Sequence, residues 1–369
     1  MGHVGNAKKE IYRALAERLN KNPVGAPVNE VLMQILQRLY TETEAMVGSR
    51  FSLRPVSLDR ISEVTGIKDN QLLKILDEMA DKGLVLDFAR RGTTYYLLAP
   101  MVIGFFEYTF MRARDELTMK ELAQLFETYF QQVEVRQELY GGETKMFRAL
   151  VYERLIPAVL ETEVLSYERA SEIIRRSGGG AISFCSCRHK ARHLGKACDA
   201  PLEVCTSLGA IAPWLVRRGL GKPATVDEML RVLDQTERLG LVHLGDNVLN
   251  SPAYICHCCG CCCEVLRPIK ETGLLSLHPS NFIPALNQEE CIGCGICSER
   301  CKTGAFELIA DHGGDEMPRL KRELCIGCGA CAAACPTRAL SMERRSEIYL
   351  PPSTKQEQFA LIARGKGRV

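Results

Sequence analysis

The chain has 369 residues, enough for two or three domains, and 46% of them are hydrophobic and 25% charged, which excludes wholesale disorder. Lys+Arg number 47 and Asp+Glu 45, and a formal charge of +2 argues against a generic nucleic-acid coat and against attraction to a membrane surface. The 18 cysteines are the departure from an ordinary composition: residues 1–184 hold none, and all lie between Cys185 and Cys335.

Leu15 and Leu19 follow Ile11 at helical spacing, and Val31, Leu32, Ile35, Leu36 and Leu39 repeat the pattern, so residues 7–20 and 28–47 read as amphipathic helices. A short helix over 57–64 and a turn at Gly66 follow. Asp69 is placed to cap a further helix that runs to Lys82 and stops at Gly83. Two β-rich runs, 84–88 and 93–98, flank Arg90-Arg91-Gly92. Helix, turn, helix and hairpin over residues 28–99 resembles a winged-helix domain. The helix that would enter a DNA groove carries Asp69, Asp77, Glu78 and Asp81 against Lys74 and Lys82, and acidic side chains repel phosphate, so a docking or structural module is expected there. Residues 101–160 read as a helical connector with aromatic-rich segments at 105–110 and 122–130, and they show no chemistry.

Residues 161–279 form a cysteine-rich unit. A helix over 167–176 leads through Gly178-Gly179-Gly180 to a strand, 181–184, that delivers Cys185 and Cys187. The glycine run lacks a following Lys-Ser/Thr and precedes a strand, so it reads as a turn and not a phosphate loop. Cys198 and Cys205 complete the first group. Thr225-x-x-Glu228 makes a capping box for a second helix, which ends at Gly240 and leads through a strand, 241–244, to Cys256-His257-Cys258-Cys259-Gly260-Cys261-Cys262-Cys263. Strand alternation would set Cys259, Cys261 and Cys263 on one side and Cys256, Cys258 and Cys262 on the other. Ten thiols permit two four-thiolate clusters with two left over, or one unusual cluster with extra ligands. Further iron–sulfur clusters are the expectation and zinc the alternative. His189, His193 and His257 are candidate ligands, although a histidine is more often a hydrogen-bonded structural residue. The basic run Arg188-His189-Lys190-Ala191-Arg192-His193 would raise the potential of a nearby anionic cluster, dock a partner's acidic face or bind an anionic substrate.

The most specific signal lies at 291–336. Cys291-x2-Cys294-x2-Cys297-x3-Cys301 recurs 34 residues later as Cys325-x2-Cys328-x2-Cys331-x3-Cys335-Pro336, with matching flanks, which makes it an internal duplication. Three thiolates two residues apart wrap one cubane, and the fourth, three residues on, reaches the cluster of the other half. Paired knuckles of the zinc-ribbon kind fit two runs of four cysteines poorly. Residues 281–343 resemble bacterial-type ferredoxins with two [4Fe-4S] clusters. The resemblance implies one cluster on Cys291, Cys294, Cys297 and Cys335 and another on Cys325, Cys328, Cys331 and Cys301. Lys302 stands where such a motif usually has Pro. The tail after Glu343 reads as an exposed arm.

The expected fold is a multidomain α+β chain. It comprises N-terminal helices with a winged-helix-like part (1–100), a helical connector (101–160), a small α/β cysteine-rich domain (161–279), a ferredoxin domain (280–345) and a tail (346–369). The whole is similar to iron–sulfur proteins of anaerobes, a resemblance that carries no named activity. The absence of a signal peptide or membrane span predicts a cytoplasmic protein. Its expected role is single-electron transfer within a larger redox complex, with a donor or acceptor protein as partner. Two alternatives stay open: an oxidoreductase whose middle cluster is the catalyst, and a redox-sensing transcription regulator.

Overall fold

The computed structural model describes residues 2–113, 118–157, 167–310 and 316–368. The expected junction at residues 160–161 lies outside them. Three helices open the chain: α1 (Gly2–Asn20), α2 (Glu30–Leu39) and α3 (Glu42–Ser49). The single helix expected over 28–47 is therefore two. Tyr40 turns extended, and Thr41 starts α3 with a reciprocal capping box, its hydroxyl accepting from the Glu44 N–H while Glu44 accepts from the Thr41 N–H. Then follow β1 (Val56–Ser57), α4 (Leu58–Thr65), α5 (Asp69–Asp81), β2 (Val85–Arg90) and β3 (Thr93–Leu98), with β3 central in an antiparallel sheet. The N-cap of α5 is Lys68, and Asp69, expected to cap, is its first helical residue.

The connector is only partly helical. After an irregular turn at Met101–Phe105 come α6 (Phe106–Phe110), α7 (Met119–Phe130) and α8 (Val133–Tyr140), whose aromatic side chains, Phe105, Phe106, Phe110, Phe126 and Phe130, pack together in the core. Residues expected to continue the helix instead form β4 (Phe147–Leu150).

β4 is one edge of a six-stranded antiparallel sheet. The other elements are α9 (Ala170–Ser177), β5 (Gly180–Phe184), α10 (Ser186–His193), β6 (Glu203–Leu208), α11 (Ile211–Arg217), β7 (Lys222–Ala224), α12 (Val226–Arg238), β8 (Val242–Asp246) and β9 (Tyr254–Cys258), with strand order β4-β8-β9-β6-β5-β7. The capping box at Thr225 and Glu228 forms as expected. α9 and α12 cover one face over Leu150, Ile174, Leu208, Met229 and Ile255. Tyr254 and Cys258, of the opposite parity to Ile255, join the core shared with α6, α7 and α8. This face is where chemistry is possible.

A short helix, α13 (Arg267–Thr272), leads to the last unit, where the duplication is visible: β10 (Phe282–Leu286), α14 (Ile296–Arg300), β11 (Phe306–Ala310), β12 (Glu316–Leu320), α15 (Ala330–Ala334) and β13 (Leu340–Arg344). β10 pairs with β13 and β11 with β12, both antiparallel, and α14 packs on α15. The tail is not an exposed arm. It forms α16 (Lys355–Gly365) and is clasped to the front part, with Lys366 and Arg368 both bound to Glu138. No helix among the described residues is long and apolar enough to cross a membrane.

Candidate metal centres

The ten cysteines of the middle unit divide four and six, and the division departs from strand parity. β9 ends at Cys258, and residues 259–263 turn, so alternation lapses there. Cys198, Cys259, Cys261 and Cys262 bring their sulfurs within 4.8 Å of one another. Cys256, Cys258 and Cys263 face the other way and, with Cys185, Cys187 and Cys205, line a cavity walled by Val102, Phe106, Phe130, Tyr140 and Phe147 from the connector.

Neighbouring thiols, Cys205 first and then Cys258, hold Cys256 down to about 5, while burial pushes Cys185 up to about 12. In the four-thiol group, Cys262 and then Arg188 hold Cys259 at about 4 against its burial. Such packing of ionisable sulfur, with no disulfide among the cysteines, is the donor set of a soft metal or an iron–sulfur cluster.

α10 presents Cys185 as its N-cap and Cys187 in its first turn. The basic run on this helix is split. Arg188 is buried, its guanidinium donating to the Pro201 and His257 carbonyls, and its charge acts first on Cys185 and then on Cys259. Lys190 is bound by Glu127 and Glu264 instead, beside Arg267. His189 Nδ1 meets the Phe110 carbonyl at 2.8 Å, and His193 Nε2 meets His189 Nε2 at 3.2 Å. His257 alternates with Cys256 and Cys258 on β9, so it lies under α12, 2.9 Å from the Thr236 hydroxyl and edge-on to His243. His257 also borders the six-thiol cavity.

Glu107 was not singled out from the sequence. It lines the six-thiol chamber and accepts from the Gly104 N–H at 2.8 Å, and burial pushes its carboxyl up to about 8. The available signal was a lone acid inside the aromatic run 105–110.

In the last unit, Cys301 from the first repeat and Cys325, Cys328 and Cys331 from the second line one cavity. Cys301 Sγ accepts from the Ala305 N–H at 3.1 Å. Gly327 sits at φ +69°, and a Cβ there would lie 2.0 Å from the Phe282 carbonyl, so the loop of that cavity admits only glycine. Cys297 and Cys335 share one apolar cluster with Phe306, Leu340 and Met342. Burial raises the Cys335 thiol, but N–H groups of Leu340, Thr337 and Ala339 and the Thr337 hydroxyl outweigh it and lower it. Cys294 is exposed, as is Ile292 between Cys291 and Cys294.

The two cysteine systems touch. A Cβ on Gly260, in the middle of the dense run, would lie 3.0 Å from the Lys302 carbonyl and 3.2 Å from its Cα, next to Cys301. On the same side, the Tyr152 N–H donates to the Cys328 carbonyl at 3.1 Å, and the Tyr152 ring lies 5.2 Å from that of His243.

Residues 285–342 match the 4Fe-4S dicluster domain family. No match was found among curated proteins or solved structures.

Proposed function

We propose that the protein is an iron–sulfur electron-transfer relay, passing single electrons between an outside redox protein and the thiol-rich middle unit. The C-terminal part is a 4Fe-4S dicluster domain, and with the cysteine cluster of the middle unit it points to iron–sulfur electron transfer. Bound [4Fe-4S] clusters supply one-electron redox change at potentials set by their surroundings. In this reading Cys301, Cys325, Cys328 and Cys331 hold the inner cluster, and Cys291, Cys294, Cys297 and Cys335 hold the outer one. The exposure of Cys294 and Ile292 favours the outer set as the contact with the partner.

The observation that carries the reading is the backbone contact of Gly260 with Lys302. A glycine here lets the cysteine run lie against the residue that follows Cys301.

The test is anaerobic freeze-quench spin resonance after limiting dithionite, comparing wild type with Gly260→Val. The expected result is unchanged reduction of the dicluster signals and at least a tenfold slower reduction of the middle centre. Equal rates in both proteins, or a middle centre that never reduces through the dicluster domain, would reject the relay.

A DNA-binding regulator is the poorer reading. Asp77 and Asp81 on α5, the helix that would meet DNA, are engaged by Arg218 of the middle unit. The front part, if of winged-helix type, therefore serves as a docking scaffold within the chain. An oxidoreductase with its catalyst in the middle unit is favoured by one feature, the acid Glu107 in the wall of the enclosed chamber.

A further inference from the structure

We propose that Cys185, Cys187, Cys205, Cys256, Cys258 and Cys263 form a metal centre of their own, separate from the four-thiol group, and that it takes an iron–sulfur cluster with more iron than one cubane. This rests on the reading of the middle unit as metal-binding, and it does not depend on electrons crossing at Gly260.

Three observations carry it. The first is contiguity, since all six cysteines line one cavity while the other four gather in a group of their own. The second is space. Protein interiors are close-packed, and a single water needs about 10–15 Å³ of cavity. This chamber has about 60 Å³, walled by sulfur and apolar side chains.

The third is ligand number. One cubane engages four thiolates. Six cysteines line this one cavity, two more than a cubane binds, and a larger metal core would engage them all. Thiolate ligands select zinc, copper(I) or iron–sulfur. Zinc takes four ligands in a tetrahedron, a poorer match to six sulfurs around one space.

The test is iron, zinc and acid-labile sulfide analysis of the anaerobically purified full chain. Wild type is compared with Cys258→Ser/Cys263→Ser, which removes two of the six thiols, and with the single variant Cys205→Ser. The expected result is loss of more than about four irons per chain in the double variant, with the dicluster spin-resonance signals retained. Loss of about four irons or fewer, or loss of zinc instead, overturns the proposal.

If the variants fail to fold, the wild-type total decides. The dicluster domain contributes about eight irons and a cubane at the four-thiol group about four. A total above about sixteen, or above about twelve when one zinc accompanies it, is the expected result. A lower total overturns the proposal. Because the readout is composition, a failed relay and a failed chamber give different results.

Discussion

Trp214, the only tryptophan in the chain, donates its indole N–H to Asp87 Oδ1 at 2.9 Å, and so fastens α11 of the middle unit to strand β2 of the front part. Arg217 and Arg218 converge on the same carboxylate. Burial pushes the Asp87 carboxyl up, but Trp214 and the two arginines outweigh it and lower it. Replacing Asp87 with Ala strands a buried indole donor and removes one of the three carboxylates that Arg218 faces. The expected cost is about 2–3 kcal/mol, read as a lower urea midpoint with a red-shifted Trp214 emission. Asp87→Asn, which keeps an acceptor, costs less.

Lys190 is a second fastener, between α10 and the acids Glu127 and Glu264. Lys190→Met leaves Glu127 and Glu264 sharing Arg267 as their cation. The expected destabilisation is about 3 kcal/mol, measured by denaturant unfolding of the loaded protein. Burial raises Glu127, yet Lys190 and Arg267 outweigh it and bring it to about 2. A lowered carboxylate pKa contributes stability above its unfolded value of 4.5 and loses it as pH falls toward 2. Glu127→Gln therefore removes part of the acid sensitivity in that window.

His243 gives a pH dependence at milder acidity. It is buried, and burial lowers it to about 3. The unfolded chain takes up a proton at this residue near pH 6.5, whereas the folded one stays neutral. Stability thus falls as pH drops below about 6.5, by up to about 1.4 kcal/mol per pH unit from this residue. His243→Phe should flatten the slope of unfolding free energy between pH 6.5 and 5, as measured by chemical denaturation at each pH.

Arg188 sets the charge beside Cys185 and Cys259. Removing a cation next to a metal centre disfavours its reduced, more negative state. Arg188→Gln is expected to lower the potential of the centre at the four-thiol group by about 60 mV, a tenfold change in the one-electron equilibrium, in a dye-mediated redox titration. Arg188→Lys keeps most of the charge and restores most of the potential. The dicluster potentials should stay in place in both.

The dicluster segment was legible because the duplicated spacing encodes its own geometry: glycines and cysteines at fixed intervals leave few other folds. The capping box at Thr225 and the strand ahead of Cys185 were local signals of the same kind. The division of the middle cysteines was not legible, because period-2 reasoning holds only while the chain is a strand, and the strand stops at Cys258. Nor was the split of the basic run. Arg188 and Lys190 look alike in sequence, and only the fold decides that one meets sulfur and the other meets Glu127 and Glu264. The connector's role was hidden for the same reason. Phe106, Glu107 and Phe130 are far in sequence from the thiols they wall, and no short-range pattern records a contact of that separation.

The roof that the connector lays over the six-thiol chamber also governs how a cofactor gets in and out. With Val102, Phe106 and Phe147 in place, neither a cluster-delivery protein nor a chelator can reach the sulfurs from that side. Once loaded, the centre should surrender its metal to bathophenanthroline far more slowly than the outer cluster beside exposed Cys294, at a pace set by local unfolding of the connector.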